Sequence, residues 1–311
     1  MKICFVGVGS IAKRHIKNLS LVKEELNIEI SIEALRRESS EADDLPEGVN
    51  KVYTSIEKLP KDYDAIFLTN PTRSHADMLI ALHDHAKHFF IEKPIASLDT
   101  VDKLSDFAFR KDSVYYVACP MRYSNVIRYL RKNIDVRTVR SVRCISSSFL
   151  PEWRPGIDYR TTYSAQKEMG GGVDVDLIHE WDYLTYLFGM PTRVKHFSGK
   201  ISNLGIDSND YAIYIAQFGP NMIGEVHLDY FGRKSIRRIE LFTDEDTIAG
   251  DLIEGKVTYL KSGKLIDLYE DRDGFQTREL LYFFDMIING SENGNDVTNA
   301  IEVLKLTQGE I

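Results

Sequence analysis

The sequence predicts an α/β protein in two parts: a doubly wound parallel sheet over residues 1–120, then an α+β domain with a large, mostly antiparallel open sheet over residues 121–311. Three observations carry this. An apolar run at the N-terminus leads straight into a glycine turn; short apolar runs then alternate with helical patterns to about residue 120; and from about residue 192 to 260 strand patterns follow one another with almost no helix between them. A chain of 311 residues, 43% hydrophobic and 28% charged, is long enough to bury two cores.

Residues 2–6 read as the first strand. Gly7, Gly9 and Ala12, with Ser10 and Ile11 between them, fit the spacing GxGxx[GA], in which small residues allow a tight turn, close approach of backbone to a pyrophosphate, and close packing of helix on strand. A helical pattern follows at Ala12, Ile16, Leu19, Val22 and Leu26. This strand-turn-helix context is what a Rossmann dinucleotide site requires. Further strands are expected at 28–35, 51–54, 65–70, 88–92 and 114–118, with one-sided helices at 74–85 and 98–110. Past residue 120 the reading is a helix at 124–132, a long strand at 139–149, hairpin strands at 210–218, 222–230 and 236–243, and closing helices at 277–288 and 298–307.

The formal charge of -8 argues against nucleic acid as the main partner, because a phosphate backbone calls for a concentrated basic surface. Cys4, Cys119 and Cys144 are odd in number and widely spaced, which suits buried free thiols in a reducing cytoplasm rather than disulfides or metal ligands. No leader pattern and no apolar run of about 18 residues is present, so the chain is expected to be neither secreted nor membrane-spanning. No metal site is expected.

The end of the second strand reads Glu33-Ala34-Leu35-Arg36-Arg37-Glu38-Ser39. An acid at this place bonds the ribose 2′-hydroxyl of NAD, whereas arginine accommodates the 2′-phosphate of NADP. Glu33 falls a few residues early, so Arg36 and Arg37 favour NADP over NAD; the alternative is a pair of solvated arginines opening a polar loop through Glu41, Asp43 and Asp44. Asn70 and Pro71 follow the fourth strand, where they line the nicotinamide ribose or simply form the turn. Ser74 is placed to cap the next helix, and His75 lies in its first turn.

Glu92-Lys93-Pro94 comes at the tip of the fifth strand, directly after Phe89-Phe90-Ile91. A charged pair there is costly unless it is paired or faces a cleft, which makes Glu92 and Lys93 site candidates. Asp176 and His179 lie three apart on a helix expected to start near Gly172, on one face, where the carboxylate would hold an imidazole suited to general-base work.

The set Gly7-Val8-Gly9 with Ala12, Asn70-Pro71 with His75, Glu92-Lys93-Pro94, Met121-Arg122-Tyr123, and Gly170-Gly171-Gly172 through His179-Glu180-Trp181-Asp182 resembles the glucose-fructose oxidoreductase, inositol dehydrogenase and MocA family over most of the chain. The resemblance implies an NAD(P)-dependent enzyme in which Lys93 and His179 act at a sugar or cyclitol hydroxyl. Many members place an aspartate four residues before the histidine. This chain has Val175 there, so the supporting role falls to Asp176 with Asp174 in reserve, and Asp182 is either a third polar member or the helix's wet side. The resemblance also implies a homo-dimer or homo-tetramer, and the apolar alternation in 213–218 and 223–228 suits a covered sheet face. The chain ends soon after its last helical pattern, so a C-terminal strand found in longer relatives is expected to be absent.

Arg122 and Tyr123, with Arg154, Tyr159 and Arg160 in the aromatic and basic loop 150–160, are substrate candidates; an acidic or nucleotide-linked sugar would suit the arginines. The alternative for the loop is a surface segment pinned by Trp153. The resulting expectation is hydride exchange with a secondary alcohol or ketone, His179 taking the proton and Lys93 stabilising the alkoxide or relaying the proton. Two rivals stay open: transient oxidation within an epimerase, lyase or glycosidase, and a nucleotide-binding regulator without catalysis.

Overall fold

A computed structural model of the chain describes residues 1–37 and 45–309, so the polar loop through Glu41, Asp43 and Asp44 lies outside the described residues. The chain divides into two compact units: residues 1–118 with 272–301, and residues 119–271 with 302–311.

The first unit runs β1 (Lys2–Val6), α1 (Ser10–Leu26), β2 (Ser31–Leu35), β3 (Val49–Tyr53), β4 (Tyr63–Leu68), α2 (His75–Leu82), β5 (Ala86–Ile91), α3 (Asp102–Ser105) and β6 (Tyr115–Val117). The strands form one parallel sheet in the order β3-β2-β1-β4-β5-β6. The order reverses direction at β1, flanked by β2 and β4, and the carboxyl ends of these strands make the crevice where ligands bind in such sheets. Ile3, Cys4 and Phe5, Ala65 to Leu68, and Phe89 to Ile91 are buried, as strands covered on both faces must be. Phe5 stacks on Phe67 and Phe67 on Phe90, each at 4.7 Å between ring centroids.

Two local expectations are corrected here. The helix expected at 98–110 is one turn, α3, because Phe107 packs edge-on against Phe109 at 4.9 Å and Phe109 against Tyr115 at 4.8 Å, drawing the chain off a helical path. Ser74 does not cap α2: it closes a 3-10 turn, Thr72–Ser74, with helical backbone angles and no capping bond from its side chain.

The second unit opens with α4 (Asn125–Asn133) and the long strand β7 (Val139–Phe149), followed by short 3-10 turns, α5 (Val173–Asp176) and α6 (His179–Phe188). Strands β8 (Arg193–Gly199), β9 (Tyr211–Phe218), β10 (Met222–Asp229), β11 (Phe231–Thr243), β12 (Thr247–Asp251), β13 (Lys256–Tyr259) and β14 (Leu265–Asp267) complete it. The sheet order is β14-β13-β12-β11-β7-β10-β9-β8, antiparallel throughout except for the parallel pair β7–β10. Side chains alternate strictly along β9, with Ala212, Tyr214, Ala216 and Phe218 buried and Ile213 and Ile215 exposed.

The single helix expected from Gly172 through His179 is broken. Leu177 and Ile178 form a turn between α5 and α6, and the backbone bonds there tighten to Ile178 N–H on Val175 O and Glu180 N–H on Leu177 O, both 3.3 Å. Val173, Val175 and Ile178 are β-branched and lose rotamer freedom in a helix, which weakens it at this point.

Two helices close the chain, α7 (Arg272–Asn289) and α8 (Val297–Leu306). α7 belongs with the first unit: Phe283 sets its edge on Phe67 and Phe90 at 5.6 and 5.4 Å, and Lys17 of α1 pairs with Asp273 at 2.7 Å. The expected boundary near residue 120 puts this helix in the second domain, whereas residues 272–301 pack with the first unit.

Candidate functional site

In the first unit the carboxyl ends of β1, β2 and β4 enclose a cavity of about 860 Å³ lined by Gly7, Val8, Arg36, Arg37, Asn70 and Pro71 among others. Its floor is set by Gly7, whose φ of 85° is in the left-handed region and whose hypothetical Cβ would stand 2.9 Å from Asn70 Cα. Gly7 N–H donates to Leu35 O at 2.9 Å, and Thr69 Oγ1 donates to Gly7 O at 2.8 Å, so the turn ties β2 and β4 together. α1 then starts without a side-chain cap, and a Cβ on Gly9 would meet nothing within 4 Å. Free N–H groups at an uncapped helix start, beside open space, suit a phosphate. Asn70 Oδ1 is buried without a hydrogen-bond partner, a polar atom awaiting a donor. These residues fit a dinucleotide.

Arg36 and Arg37 leave β2 at the cavity wall, Arg36 half-buried and Arg37 exposed. Glu33, considered as the ribose acid, sits inside β2, accepts a 2.5 Å hydrogen bond from Tyr63 Oη, and faces Lys2 at 3.9 Å. Burial and that bond push the Tyr63 phenol far up.

His75 is buried, with Nδ1 2.9 Å from Pro94 O and Nε2 2.8 Å from Asn70 O. It thus joins the turn at Asn70 to the one after Lys93, and burial holds its pKa below the ordinary histidine value. Glu92 accepts from His15 Nε2 at 2.5 Å. Burial raises the Glu92 carboxyl, but the His15 bond and the neighbouring His15, Lys93 and His75 outweigh it and carry it below the usual range. His15, buried on α1, was not singled out from the sequence; a carboxylate at a buried strand tip needing a partner was the available signal.

In the second unit Asp176 closes α5 and His179 opens α6. Gly171 lets the segment before them run against the turn at 163–166, since a Cβ there would lie 2.0 Å from Tyr163 O. Asp176 Oδ2 accepts from Tyr230 Oη at 2.5 Å, and Asp174 Oδ2 accepts from Asn209 Nδ2 at 3.3 Å. Burial raises the Asp174 carboxyl above its usual value.

Asp182 is not on a wet face. It is buried and takes a two-pronged bond from Arg122, Nε to Oδ2 at 2.9 Å and Nη2 to Oδ1 at 2.7 Å, while the guanidinium lies 5.1 Å from the Tyr186 ring. Burial raises the Asp182 carboxyl against the pull of Arg122. Beside it, fully buried Glu180 accepts from Arg237 Nε at 2.7 Å. Tyr123 ends a 3-10 turn, Pro120–Tyr123, and is half-buried.

In the loop, Arg154 lies 5.5 Å from the Tyr163 ring, Tyr159 Oη accepts from Gly205 N–H at 3.1 Å, and exposed Arg160 forks onto its neighbour Asp158 at 2.9 and 2.7 Å. Trp153 Nε1 donates to Ser148 Oγ at 2.9 Å, which pins the loop. Cys4, Cys119 and Cys144 are buried thiols outside any disulfide. Among the described residues no group of three or more His, Cys, Asp and Glu side chains is placed to hold a metal, and no helix is long and apolar enough to cross a membrane.

Residues 1–119 match the model of an oxidoreductase family with an NAD-binding Rossmann fold, and residues 127–249 match the GFO/IDH/MocA C-terminal domain. The chain is similar to a myo-inositol 2-dehydrogenase of Thermotoga maritima, 23% identical over 296 residues that make up 91% of this chain and 82% of the relative. It is also similar to a scyllo-inositol 2-dehydrogenase (NAD(+)) of Bacillus subtilis, 24% identical over 73% of this chain and 68% of the relative. Among solved structures, a UDP-N-acetylglucosamine 3-dehydrogenase of Acidithiobacillus ferrooxidans shares the fold with a TM-score of 0.80 at 18% identity, covering 100% of this chain and 96% of that one. With both halves of the family pattern matched in order on a parallel sheet and a mostly antiparallel one, the chain belongs to the Gfo/Idh/MocA oxidoreductases.

Proposed function

We propose that this oxidoreductase prefers NADP and interconverts a secondary alcohol and a ketone on a sugar, cyclitol or sugar-nucleotide substrate. The observation that carries the cofactor choice is the pair Arg36 and Arg37 on the cavity wall, with Glu33 turned to Tyr63. The substrate class rests on relatives named for inositols and a sugar nucleotide.

The bound nicotinamide supplies or accepts the hydride. The turn from Gly7 to Ala12 and the start of α1 would hold the diphosphate, and Arg36 and Arg37 would hold the 2′-phosphate. Asn70 and Pro71 bound the same cavity, with His75 holding Asn70 in place. His179 removes the proton from the substrate hydroxyl oxygen as that carbon loses hydride, and Asp176 stabilises the imidazolium that results. Lys93 stabilises the developing alkoxide. Loop 150–160, with Arg154, Tyr159 and Arg160, selects the substrate. A second copy of the chain covers the open face of the eight-stranded sheet, giving a homo-dimer or homo-tetramer.

Incubating the protein with NADP or NADPH and a panel of sugars, cyclitols and sugar nucleotides, while following nicotinamide absorbance, tests the reading. Turnover is expected with at least one member, and His179→Ala should lower it by about 100-fold or more while cofactor affinity stays unchanged. Full activity in that variant overturns the assignment of the base. Substrate conversion without net cofactor change would replace the dehydrogenase with a transient oxidation.

A further inference from the structure

Asp176 is held by the Tyr230 phenol, and a second phenol, that of Tyr163, lies near it. Tyr230, fully buried just after β10, donates to Asp176 Oδ2 at 2.5 Å. Tyr163, in the 3-10 turn Tyr163–Ala165, lies near the same carboxylate, and its phenol is driven well up by burial and then by Asp176. Each phenol has a loop residue behind it. Trp153 sets its edge on Tyr230 at 5.2 Å between centroids, and Arg154 lies 5.5 Å from the Tyr163 ring.

A phenylalanine would fill the Tyr230 site without bringing a hydroxyl into the interior. That hydroxyl donates a hydrogen bond to a carboxylate, a charge-assisted contact about twice as strong as a neutral one. Gly171 adds a second sign that the arrangement is built, because any larger residue would force the Tyr163 turn off this segment.

We propose that Tyr163 and Tyr230 are positioning residues that hold the Asp176 carboxylate aimed for His179. The proposal rests on the roles given above to Asp176 and His179. The Tyr230 phenol donates to the carboxylate and that of Tyr163 lies near it, so together they limit how strongly the carboxylate draws a proton onto the imidazole. Without them the carboxylate becomes the stronger acceptor, and His179 retains its proton to higher pH. Asp174 on the same helix, which Asn209 holds, lies near this carboxylate, and Arg154 lies beyond the Tyr163 ring.

The test is the pH dependence of kcat/KM for Tyr230→Phe, Tyr163→Phe and the double variant, beside thermal melting and cofactor titration. The acid limb is expected to move up by roughly half a pH unit or more, with kcat reduced about tenfold and cofactor affinity unchanged. A purely packing role would lower melting temperature or kcat and leave the limb in place, and that result in folded variants overturns the proposal. Should Tyr230→Phe fail to fold, Tyr163→Phe decides alone. His179→Ala separates the two levels: if it is inactive while the phenylalanine variants keep the parent limb, only the positioning role falls; if it is fully active, the underlying reading falls and this one with it.

Discussion

In the proposed reading Arg36 and Arg37, on the wall of the cavity at β1, β2 and β4, choose between two cofactors that differ by one phosphate. A guanidinium meets phosphate oxygens with parallel N–H bonds, and each charged hydrogen bond is worth about 1.5–3 kcal/mol, or roughly ten- to a hundredfold in affinity. Arg36→Ala with Arg37→Ala should therefore weaken NADPH binding by roughly that factor and leave NADH nearly unaffected, as read by nicotinamide fluorescence titration. An equal loss for both cofactors would remove the arginines from the 2′-phosphate. Residues at strand tips were legible because neighbours in sequence place them at the crevice. Partners of buried acids were not: Tyr63 reaches Glu33 across 30 positions and Arg122 reaches Asp182 across 60, distances over which no local pattern operates. For that reason the sequence leaves Asp182 open as a wet-face residue, although it is buried against Arg122.

At the scale of elements, the turn after β1 is where a single methyl group would do most damage. Gly7 has φ 85° and stands against Asn70, so Gly7→Ala combines left-handed backbone strain of about 1–2 kcal/mol with a 2.9 Å approach to Asn70 Cα. Relief requires β1 and the Asn70 turn to part, which should cost cofactor affinity more than fold. The expected result is a melting temperature lowered by a few degrees, as about 1 kcal/mol implies for a protein of this size, with a much weaker cofactor titration. Unchanged cofactor binding would show that the turn does not touch the dinucleotide. The parallel strands were readable because burial on both faces makes them continuous apolar runs, and β9 and β10 because one-sided burial imposes alternation. The break between α5 and α6 was not, since Asp176 and His179 fit a helical spacing whether or not Leu177 and Ile178 complete the turn. Nor does the periodicity of α7 state which sheet it packs on; Phe283 on Phe67 and Phe90 decides that.

For the molecule as a whole, the open question is what covers the face of the eight-stranded sheet turned away from its helices. Phe197, Ile215 and Ile223 are 75%, 45% and 49% exposed on β8, β9 and β10, three adjacent strands, and Ile213 pairs directly with Phe197. Charged residues interleave with them: one row across the sheet reads Lys195, Ile215, Glu225, Arg143 and Glu240, with Arg143 pairing to Glu225 at 3.1 Å. Such a surface, apolar in patches and self-complementary in charge, matches the isologous contact of a two-fold dimer, where each row can lie against its own copy reversed. A stable interface needs about 800 Å² from each partner, an area that four strands of a sheet can supply. Sedimentation velocity should find the parent chain as a dimer or larger. Phe197→Lys with Ile215→Lys puts two like charges from each copy into the contact and should shift the species to monomer, while circular dichroism stays unchanged because both side chains point away from the buried face. A parent chain that sediments as a monomer at all concentrations, or a double variant that keeps the parent's assembly, would place the contact elsewhere and leave this face to solvent.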